Sequence, residues 1–200
     1  MNTRDRLNEL LLSADPAQAV RDALAEGWLD AAIPELRAEM DFPQLTHWHH
    51  LTNLEHSLAT MAAMPANIDE RLAGLFHDIG KRRTTTIKMI NGEEQYLGHA
   101  PVGARLTHNI LAGLGYEPER IERICRWIAH HMDLHAVANN GHSAKAQAKL
   151  LAKIEPDLAV LERLQLADTG AMNPKIASVK LAEARAYHAM LAETIAQRAR

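Results

Sequence analysis

The sequence carries a histidine followed directly by an aspartate, His77-Asp78, inside the run Gly74-Leu75-Phe76-His77-Asp78-Ile79-Gly80-Lys81. His56 precedes the pair, and His99, His130-His131 and Asp168 follow it. Uncompensated charge in an apolar helix is costly, so few reasons other than metal binding put a His-Asp pair there. Consecutive helical residues point about 100° apart. One ion can draw on both only from the angle between them, and a carboxylate so placed can also bridge to a second ion. The order His, His-Asp, His, His-His, Asp supplies ligands for two divalent ions. Metal-assisted hydrolysis is the first chemistry to consider.

Each of these residues also has a plainer reading. His56 points away from the stripe Leu54, Leu58 and Met61, beside Ala59 and Ala63; alone it would be an ordinary core histidine. Small neighbours let another helix approach, so this second face is expected to be buried too. Ala73 and Gly74 beneath His77 leave the same kind of room. Asp168 falls in register with Leu161 and Leu164, and a carboxylate on an apolar stripe needs a partner or a metal; the alternative is a cap on the turn to Gly170. His131 lies at the edge of the stripe Ile121, Ile124, Cys125 and Ile128, with His130 nearly opposite. Both can serve one ion only on the side shared with Trp127, and a single ligand from the pair is the simpler case.

Lys81 stands one turn past the metal pair, where an ammonium can meet a phosphate oxygen. Arg105 could add to that anion-binding rim, whereas Arg82 and Arg83 read better as solvated charge. His47, His49, His50, His135 and His142 are secondary candidates. His188 reads as structural or exposed, and Cys125, on a core stripe, as inert.

The elements that must position these groups are mostly helices. Leu7, Leu10 and Leu11 mark a first helix; Asp15-Pro16 starts a second that ends near Gly27. A short helix covers Pro34 to Met40, one capped by Thr52 or Asn53 reaches Met64, and one from Ile68 to Ile79 ends at Gly80. Thr84 to Ile90 and Glu93 to Leu97 read as two strands joined by an Asn91-Gly92 turn. Further helices run from Pro101 to Leu114, Pro118 to Leu134, Ser143 to Ile154, Glu155-Pro156 through Asp168, and from Pro174 onward. The stretch from Ala138 to Ser143 reads as a loose loop near the site.

Two hundred residues with 47% apolar content suit one domain spanning 1–200. Its motif-bearing core is about 34–168, with terminal helices packed on it. Aromatics are only 4%, so the helices must pack through small and aliphatic side chains. A net charge of -3 gives no polybasic signature for nucleic acid or an anionic membrane, leaving a local basic patch as the route to the former. A single cysteine excludes an intrachain disulfide and fits a reducing compartment. With no signal-peptide pattern and no stretch long enough to span a bilayer, a cytoplasmic protein is expected.

At these residues the chain resembles the HD-domain metal-dependent phosphohydrolase superfamily, over about Pro34 to Asp168. The central stretch is most similar to the HD domain attached to bacterial CCA-adding enzymes. There a His-Asp-Ile-Gly-Lys run precedes a threonine-containing hairpin, an aromatic residue and Gly-His. Here the same order is His77 to Lys81, Thr84-Thr85-Thr86, then Tyr96-Leu97-Gly98-His99. The resemblance implies an all-α HD-domain helical bundle with a small β-hairpin insertion. It assigns His56, His77, Asp78 and Asp168 to one metal, and Asp78, His99, His130 and His131 to a second. Arg82 stands where a proline often follows the lysine. The nucleotidyltransferase domain of CCA-adding enzymes has no counterpart here, so tRNA tail synthesis is not implied.

The reading is therefore a metal-dependent phosphohydrolase acting on a phosphomonoester or phosphodiester of a nucleotide or nucleotide-like molecule. The resemblance suggests 2',3'-cyclic nucleotides among the diesters. Asp78 and Lys81 are the expected catalytic residues, with Lys81 and Arg105 binding the substrate. One or two divalent ions are expected, and manganese, iron, cobalt, nickel, zinc or magnesium all suit His and carboxylate donors. A di-iron oxygenase and a non-catalytic nucleotide-binding module are the alternatives. The long last helix can cap the bundle or pair two copies as a homodimer.

Overall fold

Local capping chemistry sets most element starts. In the computed structural model, which describes residues 1–44, 46–84, 86–90, 93–140 and 143–198, helix α1 (Thr3–Leu12) begins where the Asn2 side chain accepts from the Asp5 amide. Helix α2 (Pro16–Ala25) is capped by Asp15 and opened by Pro16, and both helices turn leucines or valine into the core. A five-residue helix, α3 (Trp28–Ala32), follows Gly27 and was not expected; α4 (Glu35–Met40) was.

Helix α5 (Asn53–Ala63) is capped by Thr52, whose side chain accepts from the Glu55 amide. It is buried on two faces, as expected, but the second face differs in composition. Asn53, Ser57 and Thr60 flank the buried His56, while Ala63 is exposed. Helix α6 (Ile68–Phe76), capped by Asn67, packs on α5 so closely that a Cβ on Gly74 would overlap the Met61 backbone. Its end corrects the sequence reading. The helix stops at Phe76, not Ile79, and residues 77–83 continue as tight turns, with Ile79 N donating to Phe76 O and Lys81 N to Asp78 O. Gly80 is not a left-handed cap; among the described residues the positive-φ glycines are Gly27, Gly98 and Gly115. Gly80 is instead a point of close approach, where a Cβ would strike the His99 carbonyl and the Gly103 amide.

Strands β1 (Thr86–Ile90) and β2 (Glu93–Leu97) pair antiparallel, with Ile87 opposite Tyr96. The Asn91-Gly92 turn, like Thr85, lies outside the described residues. Gly98 at φ 78 swings the chain into α7 (His99–Gly113). Helix α8 (Pro118–Asn140) runs beyond Leu134 and takes in His135 and the first residues of the expected loop; Gly141 and His142 lie outside the described residues. Helix α9 (Ala144–Ile154), a 3-10 turn (Glu155–Asp157), α10 (Leu158–Gly170) and α11 (Pro174–Arg198) complete the chain.

The fold is all-α with a small hairpin. Helices α5, α6, α8 and α10 contact one another around the centre; α7 lies along α8, α2 backs α5, and α11 covers α10. One apolar cluster runs from Leu7 to Leu191, each fully buried aliphatic side chain contributing roughly 1.5–3 kcal/mol. The four central helices, with α7, bring the histidines and carboxylates together in the middle of this apolar body. Among the described residues no helix is long and apolar enough to cross a membrane.

Candidate metal centre

Six of the seven expected ligands meet at one place. Asp78 lies at its middle and faces two ways. Its Oδ2 is 3.2 Å from His77 Nε2 and 3.7 Å from His56 Nε2; its Oδ1 is 3.2 Å from His99 Nε2 and 3.8 Å from His131 Nε2. Asp168 closes the first side, with Oδ1 2.9 Å from His56 Nε2 and 3.8 Å from His77 Nε2. His99 and His131 put their Nε2 atoms 3.2 Å apart. Two groups could thus each hold an ion: His56, His77 and Asp78, and Asp78, His99 and His131. All five of these residues and Asp168 are buried.

The backbone explains why the imidazoles converge. His77 Nδ1 donates to Gly74 O (2.8 Å), His99 Nδ1 to Tyr96 O (2.7 Å) and His131 Nδ1 to Ile128 O (2.7 Å), each three residues back. His56 Nδ1 donates to Ala171 O at 3.3 Å. A carbonyl only accepts, so each Nδ1 carries a proton and each Nε2 is turned toward the cluster. This is the second-sphere pattern of metal-binding histidine. His77 Nε2 gives the sharpest test of fit, because it is fully buried and makes no hydrogen bond. A lone pair left so is expensive, and a cation resolves it.

The electrostatics agree. Burial disfavours the charged form of Asp78, yet the Lys81 ammonium and His77 hold its carboxyl well below the usual range. Asp168 is likewise held low against burial, by His135 and His56. Burial, with His99 and His77 alongside, pushes His131 down to about 3, leaving it neutral. His77 is drawn the other way: against burial, Asp78 raises it, a pull that a cation in the same place would replace. Carboxylates held ionised beside converging imidazole nitrogens form a donor set for divalent metal.

Lys81 is where the sequence placed it, with Nζ 2.6 Å from Asp78 Oδ2 and donating to Gln44 Oε1 at 2.7 Å. Two expected residues are not brought into the cluster. His130 points away from it along α8, its Nδ1 3.0 Å from Asp133 Oδ2, because adjacent helical positions diverge and the inward one is taken by His131. Arg105 is exposed on α7 and does not line the cavity over the cluster. Arg82 and Arg83 are exposed as well, Arg82 donating to Ala38 O.

Two secondary candidates prove closer than expected. His135, one turn beyond His131, puts Nε2 3.0 Å from Asp168 Oδ2; its signal was the i, i+4 spacing on α8. His49 packs edge-on to His56 with ring centroids 4.7 Å apart, and burial, with Lys81 nearby, pushes it down to about 3. His47 pairs with Glu93, His50 is exposed, and His188 hydrogen-bonds to Gln165. Cys125 packs against the core with its thiol pushed up to about 11 by burial.

Comparison with known proteins gives the arrangement a context. The family model described as the HD domain matches residues 49–173. The CC-adding tRNA nucleotidyltransferase of Thermus thermophilus is 34% identical over 135 residues, covering 65% of this chain and 31% of its own length. The A-adding tRNA nucleotidyltransferase of Deinococcus radiodurans is 34% identical over 134 residues, covering 64% and 31%. The chain thus spans under a third of the length of these relatives.

Proposed function

This chain belongs to the HD domain family, and from that membership and the buried cluster we propose that it is a metal-dependent phosphohydrolase cleaving a phosphoester of a nucleotide or nucleotide-like molecule. The observation that carries the reading is the orientation of Asp78. One carboxylate oxygen faces His56 and His77 and the other faces His99 and His131, as a bridge between two ions requires. His56, His77, Asp78 and Asp168 would hold the first ion, and Asp78, His99 and His131 the second. When bound, such ions lower the pKa of a coordinated water and neutralise phosphoryl charge.

The residues of the chain supply the rest. Lys81, with Gln44 and Asp78 fixing its ammonium, is placed to bind a phosphoryl oxygen and to stabilise charge as it develops there. His135 steadies Asp168 through Oδ2, leaving Oδ1 for the cluster. The cavity above, about 1020 Å³ with Asp78, Lys81, His99 and Asp168 at its floor, has room for a nucleotide. The domain organisation that goes with this reading is a single HD-type unit over 1–200.

The test is elemental analysis of wild type and Asp78→Ala, followed by a phosphoester screen. About two ions per chain in wild type are expected, lost in Asp78→Ala. Hydrolysis should drop on the order of 10³-fold or more, as several kcal/mol of transition-state stabilisation disappear. An Asp78→Ala protein that folds and hydrolyses normally would overturn the reading, and retained iron with oxygen consumption would move it to the oxygenase.

A further inference from the structure

Above the cluster, the cavity is much larger than a phosphate needs, and its walls differ from its floor. Every cation lining it, among the described residues, already meets a carboxylate: Lys81 meets Asp78, Lys153 meets Asp133 (3.0 Å) and Lys180 meets Glu183 (2.8 Å). No arginine lines it, while Glu93 and Glu94 add further acid to the wall. A chain of phosphates extending up from the floor, away from the metal ligands, would run beside carboxylates with no surplus lysine or arginine charge to offset them.

The same wall presents an aromatic surface. Trp48 is half-buried and lines the cavity, its indole 4.2 Å from the His47 ring and tilted by 40°. Lys180 Nζ stands 5.7 Å from the indole centroid, at the outer limit of a cation–π contact. The segment is anchored from the start of α11: Asn173 N donates to Trp48 O (2.7 Å) and Asn173 Nδ2 to His47 O (3.1 Å). His49, next along the chain, packs on His56, so the indole and the carboxylate cluster belong to one continuous wall. Met132, Met172 and Leu97 add apolar surface elsewhere in the cavity lining.

We infer that Trp48 is the ring-binding, specificity-determining residue of this site, and that the substrate is a small nucleotide with a single phosphoryl group, monoester or cyclic diester, whose base lies against the indole. The phosphoryl group occupies the floor at Asp78 and Lys81, and the base, which carries no charge, suits a wall whose lysines are already paired. This rests on the phosphohydrolase reading for the chemistry, but the stacking site stands on its own geometry.

The experiment has two readouts. First, adenosine is titrated into metal-free protein and tryptophan fluorescence followed, in wild type, Trp48→Phe and Trp48→Ala. Trp28 and Trp127 remain in all three, so quenching lost in Trp48→Phe belongs to Trp48. Second, hydrolysis of adenosine monophosphate and its cyclic diester is compared with that of adenosine triphosphate, ribose 5-phosphate and a short RNA ending in a cyclic phosphate. Expected are quenching by adenosine in wild type, and a KM for the nucleotides raised about 10-fold in Trp48→Ala with kcat within about twofold. Trp48→Phe should restore most of the KM, ribose 5-phosphate should be indifferent to either variant, and the triphosphate should be about 10-fold poorer. Equal use of the triphosphate or the RNA, or a KM for nucleotides untouched in a folded Trp48→Ala protein, overturns the inference and leaves the phosphohydrolase reading standing. Quenching at Trp48 without turnover of any ester supports the ring site and overturns that reading instead.

Discussion

Two buried aspartates on this scaffold live by different rules. Asp157, in the turn before α10, accepts from Arg126 Nη2 (3.0 Å) and from the Trp127 indole (2.8 Å), tying that turn to α8. Each donor aimed at it is met, and the group is closed. Asp78, also buried, sits among four imidazoles that turn Nε2 inward, and His77 Nε2 makes no hydrogen bond. That group is open and is completed only by something that brings positive charge. Both aspartates are buried, at 3% and 8% exposure, so burial alone does not separate structure from function; whether the polar groups facing each one are all partnered does.

The contrast can be broken in three ways. The largest effect should be metal linkage. A divalent ion at 100 times its Kd should stabilise wild type by about 2.7 kcal/mol, read as a rise in Tm, with no rise in Asp78→Ala. A rise in both would mean that the open group is not where the ion binds. Next, His135→Ala should weaken metal affinity by about 10- to 100-fold, as loss of an outer-sphere partner does. Competition with a chelator measures this directly, and an unchanged affinity would demote His135 to a wall residue.

The smallest effect belongs to the closed group. Asp157→Asn should lower stability by about 1–2 kcal/mol in denaturant unfolding and leave metal content unchanged. Its pH dependence sharpens the point. The Arg126 hydrogen bond, acting against burial, holds the Asp157 carboxyl below its usual value. Its stabilisation is therefore fully present above about pH 4, near the unfolded pKa, and is lost as pH falls through the lower folded value. The gap between wild type and Asp157→Asn should be flat from neutrality down to there and close below it. A gap that closes at neutral pH would show that some other group governs it.

Much of the site was readable from residue types in order, because metal ligation demands particular atoms and those atoms are rare in apolar stretches. His56, His77, Asp78, His99, His131, Asp168 and Lys81 converge as spacing and resemblance led one to expect. What was not readable depends on where helices stop. Helix α6 ends at Phe76, and the turns that follow bring Gly80 against α7. Helix α8 runs past Leu134, its expected end, as far as Asn140, and so carries His135 to Asp168. The five residues of α3 are too few to show a periodicity. His130 lines the cavity but pairs with Asp133 rather than joining the ligand cluster, and Arg105 lies outside the cavity altogether; sequence alone did not show which side of its helix each one takes.

The contact between Gly80 and α7 has a consequence for the pair of ligand groups. His77 and Asp78 lie just before Gly80, and His99 lies four residues before Gly103, so the two halves of the cluster hang from main-chain segments that touch. Their separation is gauged by backbone thickness rather than by any side chain. Swapping ligands one at a time can retune affinity or metal preference while the calliper stays set; placing a methyl group at position 80 would open it without altering a single donor.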